Sequence, residues 1–221
     1  MGIELAKLTE LSPYLYHVTY QSSLSRIRRL RRLESADALL KAGDQLERLR
    51  KRRDSMISFE VDGDSIVLTD QLPINEKNIA FQDGWTLPDL IEAINRRVFF
   101  WRGSDAGLLC SNQGHFRKYE NAGIQMMFIR VSFQETNRLN TERGPELCKH
   151  NSGAARQYDG EPIPRGPRTF VRPPEADFQI GEVQEVVFCD FVDLSDAAEV
   201  CVGSWEGPWK PLFQEGHEDG R

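Results

Sequence analysis

Glu185 stands near the start of the run VQEVVFCDFVDL, whose alternation puts Glu185, Val187, Cys189 and Phe191 on one face of a strand. A carboxylate at the mouth of an apolar surface can stabilise positive charge that develops on a ligand. Far upstream, LYHVTY sets Tyr16, His17 and Thr19 close together in a strand that runs straight into an arginine-studded helix. A third block, LRKRRD, gathers basic side chains from Arg50 to Arg53, and a guanidinium can hold a phosphate through two hydrogen bonds at once. The fourth block, RVFFW, alternates: Val98 and Phe100 share one face while Phe99 and Trp101 share the other, so one pair at most can reach a pocket. Metal chemistry finds no support. Cys110, Cys148, Cys189 and Cys201 form no CxxC pair, and His115, Cys148 and His150 lack ligand spacing, so reduced thiols and no metal are expected. A Walker A sequence and a GxGxxG are both absent, which removes the main support for ATPase, kinase and dinucleotide-fold readings.

These blocks need elements to hold them. Ile3, Leu5, Leu8 and Leu11 recur near helical spacing and stop at Ser12-Pro13, which predicts a short packing helix. Tyr14 to Thr19 reads as a strand, and Ser22 or Ser23 caps a helix with the stripe Leu24, Ile27, Leu30 and Leu33. A second helix is expected from Ser35 through Leu39, Leu40, Leu46 and Leu49 to the basic cluster, with Gly43 as a point of interruption. SFEV and SIVLTD flank Asp62-Gly63-Asp64, which predicts a hairpin. Thr86 caps a helix with Pro88 in its first turn and Leu87, Leu90, Ile91 and Ile94 inward. Strands follow at Val98 to Trp101, Met126 to Phe133, Phe170 to Val171 and Val183 to Val192, and Glu135 to Pro174 reads mostly as loop with little core. Helices come early and strands dominate later without regular alternation, so the fold class is α+β with a mixed or antiparallel sheet and N-terminal helices.

At 221 residues the chain suits one domain, residues 1–213, with a frayed tail over 214–221. No window approaches the roughly 18 uninterrupted apolar residues of a membrane helix, and no secretory signal is visible, so a cytoplasmic protein without membrane contact is expected. The net charge of −6 is unevenly spread. Between Arg26 and Arg53 stand eleven basic and four acidic residues, a local +7 that leaves −13 for the remainder. Such a segment would attract phosphates and makes DNA or RNA the favoured partner, through Arg28, Arg29, Arg31 and Arg32. Packing explanations stand beside the chemical ones. His17 could be a satisfied buried histidine, Glu185 a solvated strand-edge charge, Arg50 to Arg53 a helix end near the negative pole of its dipole, and Asn151-Ser152-Gly153 a turn.

YHVT followed at once by a helix with a Leu/Ile stripe resembles the opening of DarT-like ADP-ribosyltransferases, in which a Tyr-His-x-Thr strand leads into a helix beginning near an Asn-Leu pair. The matching positions are Tyr16, His17, Thr19 and Ser23-Leu24, so Ser stands where the family has Asn; Arg31 and Arg32 occupy the region of the family's glycine. LRKRRDSM resembles the family's basic segment, RVFFW its second core strand, and VQEVVFCDFVDL the late strand that begins with the catalytic glutamate. The whole chain is more similar still to uncharacterised bacterial proteins, apparent relatives of that fold, through INRRVFFW, NSGA and RGPRTFV.

The resemblance implies an ADP-ribosyltransferase-like domain that uses NAD to modify a macromolecule, nucleic acid favoured and protein open, with an antagonist protein as a further partner. Glu185 would stabilise the oxocarbenium-like transition state, and Arg52 or Arg53 would hold the pyrophosphate. Tyr16, His17, Thr19 and Ser23 would contact the cofactor, with Phe99, Phe100 or Trp101 giving a flat face to nicotinamide. An RNA 2′-phosphotransferase would need more His and Arg phosphate ligands than the chain offers. The alternative of a different class is a non-catalytic module that binds NAD, another nucleotide or a partner.

Overall fold

The computed structural model describes residues 2–109, 125–153 and 160–214; Cys110, His115 and the tail beyond Gln214 lie outside the described residues. Its helices are α1 (Leu5–Leu11), α2 (Leu24–Leu30), α3 (Ala36–Ala42), α4 (Leu87–Asn95) and α5 (Phe133–Leu139). The strands are β1 (Tyr14–Tyr20), β2 (Arg32–Glu34), β3 (Ile57–Val61), β4 (Asp64–Leu68), β5 (Ile79–Phe81), β6 (Arg97–Ser104) and β7 (Gly107–Leu108), then β8 (Met126–Ser132), β9 (Glu146–Cys148), β10 (Ile163–Arg165), β11 (Glu185–Cys189), β12 (Phe191–Asp193), β13 (Glu199–Val202) and β14 (Lys210–Pro211). The class is α+β. An eight-stranded antiparallel sheet runs in the order β14-β13-β8-β1-β6-β11-β9, with β7 beside β6, and β5–β10 form a separate parallel pair. No described helix is long and apolar enough to cross a membrane.

Strand alternation sorts the sheet into two faces. Leu15, Val98, Phe100, Ile129, Val131, Val186 and Phe188 enter one core, where Leu8 of α1, Ile27 of α2 and Phe133 of α5 meet them. Each such buried side chain contributes about 1.5–3 kcal/mol. On the opposite face Val187 packs with Leu90, Ile91 and Ile94 of α4, while Tyr20, Trp101, Met126 and Phe128 form a third cluster. Helix α4 starts where the Asp89 carboxylate accepts from both the backbone N–H (2.8 Å) and the hydroxyl (2.5 Å) of Thr86. The β3–β4 hairpin turns through Asp62 (φ 51°) and Gly63 (φ 82°), the two positive values that a tight two-residue hairpin turn requires.

Several sequence expectations need correction. The second helix does not reach Arg53: it ends at Ala42, because Gly43 lies against the Phe59 ring and Asp44 turns left-handed (φ 55°). Its continuation is a 3-10 turn over Leu46–Arg48. Ser23 precedes α2 without a side-chain cap. The expected strand over Val183–Val192 is two, β11 and β12, separated at Asp190 (φ 63°), so Phe191 does not continue the Glu185 face. Phe170–Val171 supplies only a bridge from Val171 to Leu147. Glu135 to Pro174 is not a coreless loop, since it holds β9, β10 and the buried side chains of Leu147, Ser152, Ile163 and Arg165.

The arginine segment is extensively paired within the chain. Arg26 is 5 % exposed and binds Glu34 through Nε (2.6 Å) and NH2 (3.2 Å), with NH1 on the Val61 carbonyl and near Asp62 and Asp64. Arg28 donates to the Leu212 carbonyl, Arg29 pairs with Asp64, Arg31 pairs with Asp196, and Arg32 lies 3.7 Å from Asp193 and over the Phe191 ring. Arg31 itself takes the left-handed cap of α2 (φ 55°, ψ 33°), a conformation a glycine would hold without steric cost. The four arginines expected to meet nucleic acid thus link α2 and β2 to the hairpin, to β12 and to the C-terminal segments at Asp196 and Leu212, with Arg29, Arg31 and Arg32 still partly exposed.

Candidate active-site cleft

A fork in the sheet makes the cleft. Strands β1 and β6 pair only from Tyr14↔Gly103 to Tyr16↔Trp101; beyond that point β1 stays with β8 while β6 stays with β11. His17 sits at the fork, where its Nδ1 bonds the Phe99 carbonyl of the departing strand at 2.9 Å. A carbonyl can only accept, so Nδ1 carries the proton and Nε2 is left as an acceptor. Burial holds the imidazole pKa down to about 4, so the ring is neutral at pH 7. The opening is a cleft of about 260 Å³ whose walls include His17, Thr19, Ser23, Arg53, Phe99, Trp101 and Glu185.

Glu185 begins β11, in register with Trp101 on one side and Cys148 on the other. It is 2 % exposed and is no solvated edge charge. Oε2 accepts from the Ser152 backbone N–H at 3.0 Å and from the Ser152 hydroxyl at 2.6 Å. Oε1 takes no hydrogen bond from the described residues. Desolvation pushes the carboxyl up to about 7, against the opposing pull of the Ser152 bonds and the Arg165 charge. The turn carrying Ser152 is held by Arg165, 1 % exposed, which donates to the Asn151 carbonyl at 3.2 Å. Cys148 is pushed up to about 12 by burial and by Glu185, so it stays a thiol.

Arg53 also lines the cleft and is 8 % exposed. Its Nε donates to the Thr69 carbonyl (2.8 Å) and its NH1 to Asn95 Oδ1 (2.9 Å), an oxygen that Gln71 Nε2 also reaches at 3.1 Å. Gln71 Oε1 in turn accepts from the Arg53 backbone N–H. Among the described residues no carboxylate pairs with this guanidinium; Asp70 favours its charge from a distance, and burial lowers its pKa to about 10. A buried cation held only by neutral acceptors is prepared for an anionic ligand.

The remaining candidates go elsewhere. Tyr16 points away from the cleft, edge-on to Trp209 at 5.7 Å, and Phe100 is fully buried in the opposite core against Phe188. Strand alternation explains Phe100 and makes Phe99 and Trp101 the aromatic pair that reaches the cleft, whereas Tyr16, in register with Trp101, is drawn aside by Trp209 and a hydrogen bond with Arg130. Arg52 bonds Asp54 (2.7 Å) and the Ile74 carbonyl (2.9 Å) and does not line the cleft, and Arg50 pairs with Asp89 and Glu92. Ser152, Gln71, Asn95 and Asp70 were missed. Ser152 and Asn95 lie inside NSGA and INRRVFFW, segments that carry a resemblance and, at Asn151-Ser152-Gly153, a turn signal; Gln71 and Asp70 follow the hairpin and carry no signal of their own. No group of three or more His, Cys, Asp or Glu residues among those described could hold a metal.

Comparison with curated proteins and with solved structures gave no match. A family of unknown function (DUF7002) matches residues 13–202, a span that includes every cleft residue named above. The chain belongs to that family.

Proposed function

We propose that the protein is an NAD-dependent mono-ADP-ribosyltransferase with a macromolecular acceptor. One observation carries the reading: a buried carboxyl with an open oxygen, a buried guanidinium without a carboxylate, and two aromatic faces line a single cleft. The volume of about 260 Å³ is just under the roughly 300 Å³ at which pockets for drug-sized ligands begin, so it suits the nicotinamide-ribose half, with the adenylate half outside. Arg53 would hold the pyrophosphate, and Phe99 or Trp101 would lie against the nicotinamide ring. When the ribose C1′–nitrogen bond breaks, its electron pair stays with nicotinamide and C1′ becomes cationic. Ionised Glu185 stabilises that charge through Oε1 and accepts the proton that the acceptor's nucleophile releases as it bonds C1′. The positive nicotinamide ring of bound NAD favours the ionised form of a carboxyl that is otherwise balanced near pH 7.

With Arg28, Arg29, Arg31 and Arg32 engaged within the chain, nucleic acid has no special claim over protein as acceptor. A second reading, a nucleotide-binding module without turnover, draws on the largely protonated state of Glu185 below pH 7. Purified protein incubated with NAD, alone and with single-stranded DNA, RNA or cell lysate, separates the two. Nicotinamide release in any arm is the expected result; NAD binding with no release in every arm leaves the module.

A further inference from the structure

Both hydrogen bonds that Glu185 receives come from one residue and fall on one oxygen. The Ser152 N–H and hydroxyl converge on Oε2 at 3.0 and 2.6 Å, and Ser152 is itself only 2 % exposed. Ser152 sits in a turn closed by the Gly153 N–H on Asn151 Oδ1 (3.1 Å) and tied to β10 by Arg165 on the Asn151 carbonyl. A buried hydroxyl in so fixed a turn has one role open to it beyond packing, which is to hold the carboxyl. We propose that Ser152 is a positioning residue that clamps Glu185 by Oε2 and so dedicates Oε1 to the ligand.

The clamp restricts both rotation and ionisation. Two donors on one oxygen fix the carboxyl plane, and they favour the charged form that burial opposes. From β10 comes the Arg165 charge, which also favours ionisation; from β9 comes the Cys148 thiol, neutral at physiological pH; β6 presents Trp101, and the titratable and charged residues of the same cleft are His17, Glu34, Arg53, Asp70 and Arg97. Among the described residues, Ser152 supplies both hydrogen bonds that the carboxylate receives.

The inference rests on the proposed reaction only for its effect on turnover, so its test has one readout that needs no reaction. Ser152→Ala removes the hydroxyl and keeps the N–H. Carbon-13 NMR of the side-chain carboxyls, with the Glu185 signal identified by its loss in Glu185→Gln, follows the titration in ligand-free protein. Loss of a hydrogen bond to a charged acceptor is expected to raise the Glu185 midpoint by about one pH unit in the Ala variant. Ser152→Thr, which keeps the hydroxyl, restores it, and Ser152→Cys, a weaker donor of similar volume, falls between and covers an Ala variant that does not fold. The acidic limb of the pH profile of nicotinamide release moves with the midpoint, and kcat falls by about tenfold with KM little changed. A midpoint that moves without any nicotinamide release keeps the clamp and removes the transferase. An unchanged midpoint in the Ala or Cys variant overturns the clamp, whatever the turnover.

Discussion

Glu185 and His17 lie in the same cleft with their protonation displaced in opposite directions, the carboxyl up to about 7 and the imidazole down to about 4. Both are neutral near pH 6, and each charged form destabilises the native state. For Glu185 the folded chain binds the extra proton, so its contribution to stability falls as pH rises from the ordinary carboxyl range through 7 and costs roughly 3 kcal/mol by pH 8. For His17 the unfolded chain binds the extra proton, so stability is lost as pH falls from about 6.5 through 4. Glu185→Gln removes the first cost, since its side-chain oxygen can still accept from Ser152. Thermal melts at pH 5 and pH 8 are therefore expected to show the variant more stable than wild type at pH 8, with little difference at pH 5. A variant less stable at pH 8 would mean that the ionised carboxylate is well solvated or paired. The residue types at this scale were visible in the sequence: alternation alone separated Phe99 and Trp101 from Phe100. What could not be read was the Ser152 bond, because it joins positions 33 residues apart through a turn whose sequence specifies only that it turns.

At the scale of elements, a buried arginine is the central tie between the hairpin and the rest of the fold. Arg26 bridges Glu34 of β2, itself in the cleft wall, to the Val61 carbonyl and to the acidic turn at Asp62 and Asp64. Its side chain is 6 % exposed and that of Glu34 17 %, so removing the cation leaves a largely buried carboxylate without its partner. Arg26→Leu is expected to lower the free energy of unfolding by about 3–5 kcal/mol, read by urea denaturation. A loss under about 1 kcal/mol would reduce the hub to a surface contact. Helical periodicity identified α2 and the capping residues identified α4, since both signals are local, but the α2 stripe overran: the helix ends at Leu30 and Leu33 belongs to β2. Gly43 was a local signal for the early end of α3, but the Phe59 ring that packs against it comes from the hairpin and has no local signal. The fork between β1 and β6 is likewise a matter of pairing, and only the assembled sheet reveals that His17 stands where two strands part.

Across the whole molecule, the charge asymmetry of the sequence is largely undone by folding. The +7 segment draws its counterions from Asp62, Asp64, Asp89, Glu92, Asp193 and Asp196, all outside residues 26–53. Replacing Arg28, Arg29, Arg31 and Arg32 with Gln is thus expected to lower the urea midpoint, while the salt dependence of any single-stranded DNA binding changes in slope by less than about one. A slope that flattens by three or four would return these side chains to a nucleic-acid surface. The α+β class was legible because helix and strand signals are segregated along the chain, whereas the sign of a surface depends on which distant residues fold against it. The central claim, that this cleft cleaves the bond between nicotinamide and ribose, is tested most directly by nicotinamide released per minute from NAD by wild type and by Glu185→Gln, with NAD affinity measured alongside. The expected result is release by wild type and a loss of roughly 10²-fold or more in the variant at unchanged affinity, the size typical of removing one electrostatic contact from a transition state. Equal rates in the two proteins, or no release from a wild type that binds NAD, would contradict it.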